Sequence, residues 1–268
     1  MRSSEPSETE EPCTVDYADD IHSHLLSRER ARFPYHARGA QTRLRPCMLE
    51  FLDQVCSLKT LSPVVLHLAA YLMDVFMDNN VIATEHWRLV AVGCLSVAVK
   101  LEENTDLIPR NKDFNKFLSG KYNLKDIVDF EVSLLTFFKW NVKFPTVAHF
   151  LEYYELYALS PVVDGLDRPT VTYELFKKCM RRYLEYFQHA VLEDTSFYNY
   201  RPSVLAASCI ASARIHMMLT PAWHSELRNV TKYKYKELKA CTFQLLSLLQ
   251  KDLFKFETHS RKEGEFEQ

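Results

Sequence analysis

Two stretches of this 268-residue chain have nearly the same pattern of side chains. Residues 89–100 and residues 203–214 are each a run of small and aliphatic residues that ends in a cation, Lys100 in the first and Arg214 in the second. A helix that is apolar on every face has to be buried on every side. Its small residues let the neighbouring helices approach closely. Two such helices therefore predict a duplicated helical bundle, in which each copy surrounds its own central helix.

The composition argues against several classes of function. The chain has only 5 glycines, so the glycine-rich loops that cradle phosphate groups are missing. Its net charge of −2 gives no general attraction to nucleic acid or to an anionic membrane. No apolar run reaches the length of about 18 residues that a membrane span needs, and the first residues are acidic and polar, unlike a signal peptide. The 7 cysteines show no CxxC spacing. We therefore expect a soluble, reduced intracellular protein.

The spacing of the apolar residues predicts five helices in each half of the chain. In the first half we expect helices over residues 43–58, 62–79, 84–103, 111–118 and 123–138. In the second half we expect them over residues 146–159, 169–192, 202–214, 223–230 and 232–249. Alternation of polar and apolar residues never persists for more than a few positions, so no strand is expected. The predicted fold class is all-α, with two tandem five-helix bundles and a short helix before them.

These helices divide the chain into five segments. Residues 1–15 are rich in serine, glutamate and proline and are predicted to be disordered. Residues 16–34 are predicted to hold the N-terminal helix, and residues 35–143 the first bundle. The second bundle is expected over residues 144–252. The charged residues 253–268 are expected to form a flexible C-terminus.

Several motifs of the chain resemble those of the cyclin family, whose fold is a pair of five-helix cyclin boxes. Residues 44–55 are similar to the family segment Met-Arg-x-Ile-Leu-x-Asp-Trp-Leu-x-Glu-Val, which opens the first box. Residues 97–103 are similar to the family's Ala-x-Lys-Phe/Tyr-Glu-Glu at the end of the third helix, and Glu131 occupies the position of a fifth-helix glutamate. Residues 145–151 resemble the segment that opens the second box. The resemblance covers about residues 20 to 250.

Within the family, residues 149–154 and 199–214 are most similar to the J-type cyclins. The resemblance implies a regulatory subunit that binds and activates a cyclin-dependent serine/threonine protein kinase in cell-cycle control. Such a subunit has no catalytic residues and no cofactor of its own. The nucleus is the expected location, with the cytoplasm as a second one. Nucleic acid and membrane are not expected partners.

The resemblance also implies which residues bind the kinase. In cyclins, a lysine and a glutamate at the positions of Lys100 and Glu131 hold the regulatory helix of the kinase, mainly through backbone groups. An ammonium can donate to carbonyls and a carboxylate can accept from amides. The alternative is that both are solvated residues near helix ends. Glu102 and Glu103 are expected to add to this kinase-contact chemistry. An apolar notch is expected beside the pair, lined by Val97, Leu101, Leu135, Trp140 and Val142. The alternative is that these residues pack in the core.

A second implied surface is the patch with which cell-cycle cyclins bind short Arg-x-Leu motifs of substrates and inhibitors. Its residues here would be Leu44, Cys47, Met48, Phe51, Gln54 and Val90. Phe51 replaces a tryptophan of the family, Gln54 a glutamate that pairs with the arginine of the motif, and Val90 a glutamine. Loss of the carboxylate removes a charge-assisted hydrogen bond, so we expect a weakened or retuned patch. Arg45 matches a family arginine that bonds within the box, which predicts a structural role.

One alternative function stays open, a cyclin-fold transcription or nucleic-acid-associated adaptor without a kinase partner. A basic stretch over residues 228–239 contains Tyr233 and Tyr235, which could touch nucleic acid. A solvated helix face is the simpler interpretation. A pair of boxes that binds DNA should be clearly basic and should bind in a salt-dependent way, whereas this chain is slightly acidic. The histidines and cysteines have neither metal-ligand spacing nor a nucleophile with its base, so no metal site and no enzyme are predicted.

Overall fold

The computed structural model describes residues 18–266, apart from residues 40, 105, 107 and 167–169. Over these residues the regular structure is helical, and no strand is assigned. The predicted all-α class is confirmed. The predicted disordered segment, residues 1–15, lies outside the described residues.

The helices follow the predicted order. The first half contains α1 (Ala18–Glu29), α2 (Arg45–Lys59), α3 (Pro63–Asn79), α4 (Trp87–Glu102), α5 (Asn111–Phe117) and α6 (Leu124–Phe137). The second half contains α7 (Val147–Tyr154), α8 (Pro161–Asp164), α9 (Val171–Glu193), α10 (Pro202–His216), α11 (Ser225–Thr231) and α12 (Tyr235–Phe266). The short α8 was not predicted. Among the described residues, 3-10 turns accompany these helices at Thr42–Leu44, Thr84–His86, Glu155–Tyr157 and Thr195–Asn199.

Local signals explain where several helices begin. Proline stands at the start of α3 and of α10, where the missing backbone N–H has no partner to lose. At the start of α6, the Asn123 side chain accepts from the backbone N–H of Asp126, and the Asp126 carboxylate accepts from that of Asn123. This reciprocal capping box satisfies two donors that a helix start leaves unpaired.

The two apolar stretches form the centres of the two bundles. In α4 every residue from Val90 to Val99 is buried, and the helix packs against α2, α3, α5 and α6. The second central helix, α10, packs against α7, α9 and α12. Gly93 shows why small residues are needed here. A Cβ atom at Gly93 would lie 2.1 Å from Cδ1 of Phe130, so only glycine leaves room for that ring of α6.

The N-terminal helix is attached to the second bundle, although it precedes the first in the chain. Glu29 is buried, and its carboxylate accepts from the backbone N–H of Ser203 at 3.0 Å and from its hydroxyl at 2.7 Å. Ser203 lies in the first turn of α10, where a carboxylate is favoured by the helix dipole. The ring nitrogen Nε2 of His22 lies 2.8 Å from the hydroxyl of Tyr154 in α7. The helix α1 therefore links the start of the chain to the second repeat.

The last helix extends well past its predicted end near Leu249. The segment contains no proline, and its first glycine is Gly264, so nothing local ends the helix earlier. Leu245 and Leu249 are buried, whereas Leu253 and Phe254 are 46% and 68% exposed. Loss of burial after Leu249 thus marks where packing ends, and the helix itself continues.

His67 of α3 is a buried histidine with a consequence for stability. It is 5% exposed and forms no hydrogen bond with the described residues. Burial, followed by the positive fields of His149, His189 and Arg32, lowers the pKa of His67 from 6.5 to about 3. Below about pH 6.5 the unfolded chain therefore binds a proton that the folded chain does not bind until its own pKa is reached. Stability should fall as the pH falls through this window.

We expect the His67→Gln variant to lose less stability on acidification than the natural chain. The slope of the free energy of unfolding against pH should differ between the two proteins by about 1.4 kcal/mol per pH unit. Urea unfolding followed by circular dichroism between about pH 5 and pH 7 would measure it. The matched control is His24→Gln, which removes an exposed histidine instead of a buried one. The same pH dependence of the free energy of unfolding in the natural chain and in His67→Gln would contradict this prediction.

Candidate functional site

Lys100 and Glu131 meet at the surface where α4 packs against α6. The Lys100 ammonium donates to both carboxylate oxygens of Glu131, with Nζ 2.7 Å from Oε1 and 2.8 Å from Oε2. The Glu131 side chain is 11% exposed and that of Lys100 is 40% exposed. The pair is therefore buried on the side of the acid and open to solvent on the side of the base.

A third residue completes this polar cluster. The hydroxyl of Ser96, one turn before Lys100 in α4, also donates to Oε1 of Glu131. An ammonium has three N–H groups, and a carboxylate has about four lone-pair sites. Two of the ammonium donors and three of the acceptor sites are used inside the chain. The cluster can thus offer about one donor and one acceptor to an external backbone.

The five predicted apolar residues divide into two groups. Val97 and Val142 are buried at 5% and 6% exposure, so the core-packing alternative describes them. Leu101 and Leu135 are half-buried and Trp140 is 69% exposed, so these three contribute surface. Leu135 lies one turn after Glu131 along α6. An apolar surface therefore continues from the polar cluster toward the end of α6.

The backbone at the end of α6 sets the position of Trp140. The N–H of Trp140 donates to the carbonyl of Leu135 at 2.7 Å, and Trp140 has a φ of 61°. Lys139, with a φ of 52°, takes the left-handed position after the helix where glycine is the usual residue, and Trp140 follows it in a left-handed conformation as well. A tryptophan in this conformation costs about 1–2 kcal/mol. The chain thus presents a large exposed aromatic ring at a defined place.

The two acids that follow Lys100 have partners within the chain. Oε1 of Glu103 accepts from the backbone N–H of Ser62 at 2.7 Å, at the start of α3. Oε2 of Glu102 lies 3.4 Å from Nε2 of His149 in α7, with both side chains about 10% exposed. Both acids thus have partners within the chain, and the expectation that they add to the kinase-contact chemistry stays a prediction. They join α4 to α3 and to the second repeat.

The predicted docking patch is only partly at the surface. Met48 and Val90 are 0% and 2% exposed and lie beneath it. Cys47 and Gln54 are exposed, whereas Leu44 and Phe51 are half-buried.

Arg88 is a residue of this patch that the sequence did not reveal. Its guanidinium carbon lies 5.8 Å from the centre of the Phe51 ring and 5.1 Å from that of Trp87. The two rings pack edge to face at 5.5 Å. Arg88 thus places a positive charge at this patch, and the expectation of a weakened or retuned patch stays a prediction. Only the proximity of α2 and α4 brings the three side chains together.

Arg45 lies at the junction of the two repeats. Its guanidinium forms a two-pronged ion pair with Asp74 of α3, at 2.9 and 3.0 Å. It also donates to the carbonyls of Leu192 at 2.6 Å and Glu193 at 3.1 Å, in the last turn of α9. The hydroxyl of Tyr198 donates to the same carboxylate of Asp74 at 2.7 Å. The side chain of Arg45 thus links the two repeats, in addition to bonding within the first.

Arg214, which ends the second apolar stretch, is enclosed in the core. It is 0% exposed and forms two hydrogen bonds with Asp164, at 2.7 and 3.0 Å. It also donates to the carbonyls of Ala158 at 2.7 Å and Pro221 at 2.9 Å. The second repeat therefore lacks an exposed equivalent of Lys100 at this position.

The basic stretch forms no stacking surface at Tyr233. Tyr233 is 9% exposed, and its hydroxyl lies 2.8 Å from that of Ser203. Tyr235 is 36% exposed. The cations around them are exposed, at Arg228, Lys232, Lys234, Lys236 and Lys239.

Comparison with known proteins agrees with this arrangement. Family models of the cyclin N-terminal domain and the cyclin C-terminal domain match in tandem, over residues 20–143 and 145–265. Cyclin-J of Xenopus laevis is 35% identical over 238 residues, which cover 85% of this chain and 61% of the relative. Cyclin-J-like protein of Mus musculus is 34% identical over 236 residues, with the same shares of 85% and 61%. The chain spans about three fifths of the length of these relatives.

A solved structure shows the same fold at much lower sequence identity. The viral cyclin from herpesvirus saimiri superimposes with a TM-score of 0.58 at 11% identity, covering 86% of this chain and 96% of the viral protein. No helix among the described residues is both long enough and apolar enough to cross a membrane. With both cyclin domains in tandem, and with the predicted similarity to cyclin J confirmed, the chain belongs to the cyclin family.

Proposed function

We propose that this chain is a regulatory subunit that binds and activates a cyclin-dependent protein kinase, acts in cell-cycle control, and contributes no catalytic residue. Membership of the cyclin family supports the kinase partner. The observation that carries the proposed site is the half-exposed ion pair of Lys100 and Glu131, which continues into the exposed ring of Trp140. We further propose that the complex acts in the nucleus, which imaging of a fluorescent fusion in cells would test.

The proposed contact uses the groups that the polar cluster leaves available. The third N–H of the Lys100 ammonium donates to a backbone carbonyl of the kinase, and the remaining lone pair of the Glu131 carboxylate accepts from a backbone amide. Leu135 and Trp140 cover an aliphatic side chain of the kinase helix, since large aromatic rings are frequent anchors of interfaces. The cost of the left-handed backbone at Trp140 is then offset by burial of the ring in the complex.

Activation follows from a difference in affinity. A kinase whose regulatory helix moves between two positions is shifted toward the position that the cyclin binds more tightly. In the inward position, a glutamate of that helix pairs with the lysine that holds the ATP phosphates. The chain therefore needs complementarity to one arrangement of the kinase helix.

We expect Lys100→Ala and Glu131→Ala each to weaken kinase binding by about tenfold or more, because each leaves a largely desolvated charge without its partner in the complex. Affinity capture of the tagged chain with a panel of cyclin-dependent kinases, followed by histone phosphorylation, would measure both recovery and activation. Arg181→Ala is the matched control. Arg181 forms an exposed ion pair with Glu155 at 3.4 Å in the second repeat.

Thermal unfolding of each variant separates loss of binding from loss of folding. Glu131→Gln is a second variant for this purpose, because it keeps the shape of the side chain and one acceptor oxygen while it removes the charge. Kinase recovery and activity unchanged in both alanine variants would refute the site. Failure of every kinase to bind the natural chain, together with tight salt-dependent binding of duplex DNA, would instead favour the adaptor function.

A further inference from the structure

A cavity of about 470 Å³ lies between the two repeats. One wall comes from the end of α2, the connection to α3 and the start of α3, and the other comes from α9. None of the residues assigned above to the kinase or to the docking patch lines it. Its volume falls within the range of about 300–1,000 Å³ that is usual for ligand sites.

The cavity is lined by two carboxylates and by the imidazoles of His67 and His189. Asp53 of α2 and Glu185 of α9 line opposite walls, one from each repeat. Among the described residues neither carboxylate takes part in an ion pair or a hydrogen bond. The lining contains no lysine or arginine. A cation that enters the cavity therefore meets a carboxylate from each repeat and no lysine or arginine of the lining.

Two further polar groups of the lining form no hydrogen bond with the described residues. His67 is 5% exposed, lines the cavity and forms no hydrogen bond within the described chain. The hydroxyl oxygen of Ser62 is buried without a hydrogen-bond partner. A neutral imidazole has one donor and one acceptor nitrogen. A buried polar group left unpaired costs about 1–3 kcal/mol, so the Ser62 hydroxyl is a group that a ligand in the cavity could satisfy.

We propose that this inter-repeat cavity binds an extended peptide segment of a partner protein that carries a lysine or an arginine. The cationic side chain lies between Asp53 and Glu185. The peptide backbone supplies both carbonyls and N–H groups, which match the imidazole of His67 and the hydroxyl of Ser62. The aliphatic part of the basic side chain packs against apolar lining residues, Leu61, Leu66 and Leu192.

The probe for this proposal is a set of four fluorescent hexapeptide pools, each with one fixed central residue. The fixed residues are arginine, lysine, citrulline and glutamate, of which citrulline keeps the shape of arginine without its charge. Fluorescence anisotropy with the full chain would measure binding. We expect the arginine and lysine pools to bind and the citrulline and glutamate pools not to bind.

The double variant Asp53→Asn/Glu185→Gln should bind the arginine and lysine pools about tenfold or more weakly. The matched control is Glu50→Gln/Glu174→Gln, which removes two exposed charges from the same two helices outside the cavity and should bind as the natural chain does. Absence of binding by every pool, binding that does not depend on charge, or an equal loss in the control would each overturn the proposal.

Kinase capture by the same variants separates this site from the proposed function. Neither double variant alters Lys100, Glu131 or Trp140, so both should recover kinase as the natural chain does. The experiments can therefore refute peptide binding in the cavity while kinase binding is confirmed, or refute kinase binding while peptide binding is confirmed.

Discussion

Replacement of Arg214 by methionine should destabilise the chain by about 3–5 kcal/mol, because it leaves the buried carboxylate of Asp164 without its cationic partner. The side chains of both residues are 0% exposed. The substitution also removes the donors that satisfy the carbonyls of Ala158 and Pro221. Urea unfolding followed by circular dichroism would measure the loss as a lower midpoint.

Two companion variants make this prediction specific. In Arg214→Met/Asp164→Leu no buried charge remains, so the double variant should recover part of the stability that Arg214→Met loses. Lys100→Met should cost less than Arg214→Met, because the Lys100 side chain is 40% exposed and solvent screens its ion pair. Equal losses for the two cations would show that burial does not distinguish them.

We expect Asp74→Ala to destabilise the chain by a similar amount, about 3–5 kcal/mol, and to loosen the contact between the repeats. The substitution leaves the guanidinium of Arg45 and the hydroxyl of Tyr198 without their shared carboxylate. Arg45 holds the last carbonyls of α9 in the second repeat, so its displacement should free that turn. Hydrogen exchange in the last turn of α9 should accelerate.

Tyr198→Phe is the graded comparison for this network. It removes one hydrogen bond and leaves the ion pair intact, so its cost should be about 1 kcal/mol. Exchange at the end of α9 that stays slow in Asp74→Ala, with an unchanged urea midpoint, would show that Arg45 does not couple the repeats.

Much of the fold could be predicted from local patterns. The apolar stretches predicted α4 and α10 because a helix without a polar face can only be a buried one. The start of α6 was predictable from Asn123 and Asp126, since a capping box acts over three residues. The end of α12 was not predictable in this way. The predicted boundary was placed where the apolar spacing ends near Leu249, whereas the helix continues beyond the buried residues.

The candidate site was less accessible from the sequence, because its properties depend on long-range contacts. Lys100 and Glu131 could be chosen only through their resemblance to a family motif. Their direct ion pair spans 31 positions of the chain. Nothing local distinguishes Val97, which is buried, from Leu101, which contributes surface. The unpaired groups of the inter-repeat cavity were equally hidden, since Asp53 and Glu185 come from different repeats.

The sequence by itself determined that the chain has two buried central helices, each with a cation at the end of its apolar stretch. Apolar periodicity and capping act within a few residues, so they can be recognised in the amino-acid sequence alone. Only the tertiary structure decided what each cation does. Arg214 meets Asp164 50 positions away in a closed core, whereas Lys100 meets Glu131 at an edge that solvent reaches. The energy of a charge depends on its burial and on its partner, and both arise only when distant segments pack together.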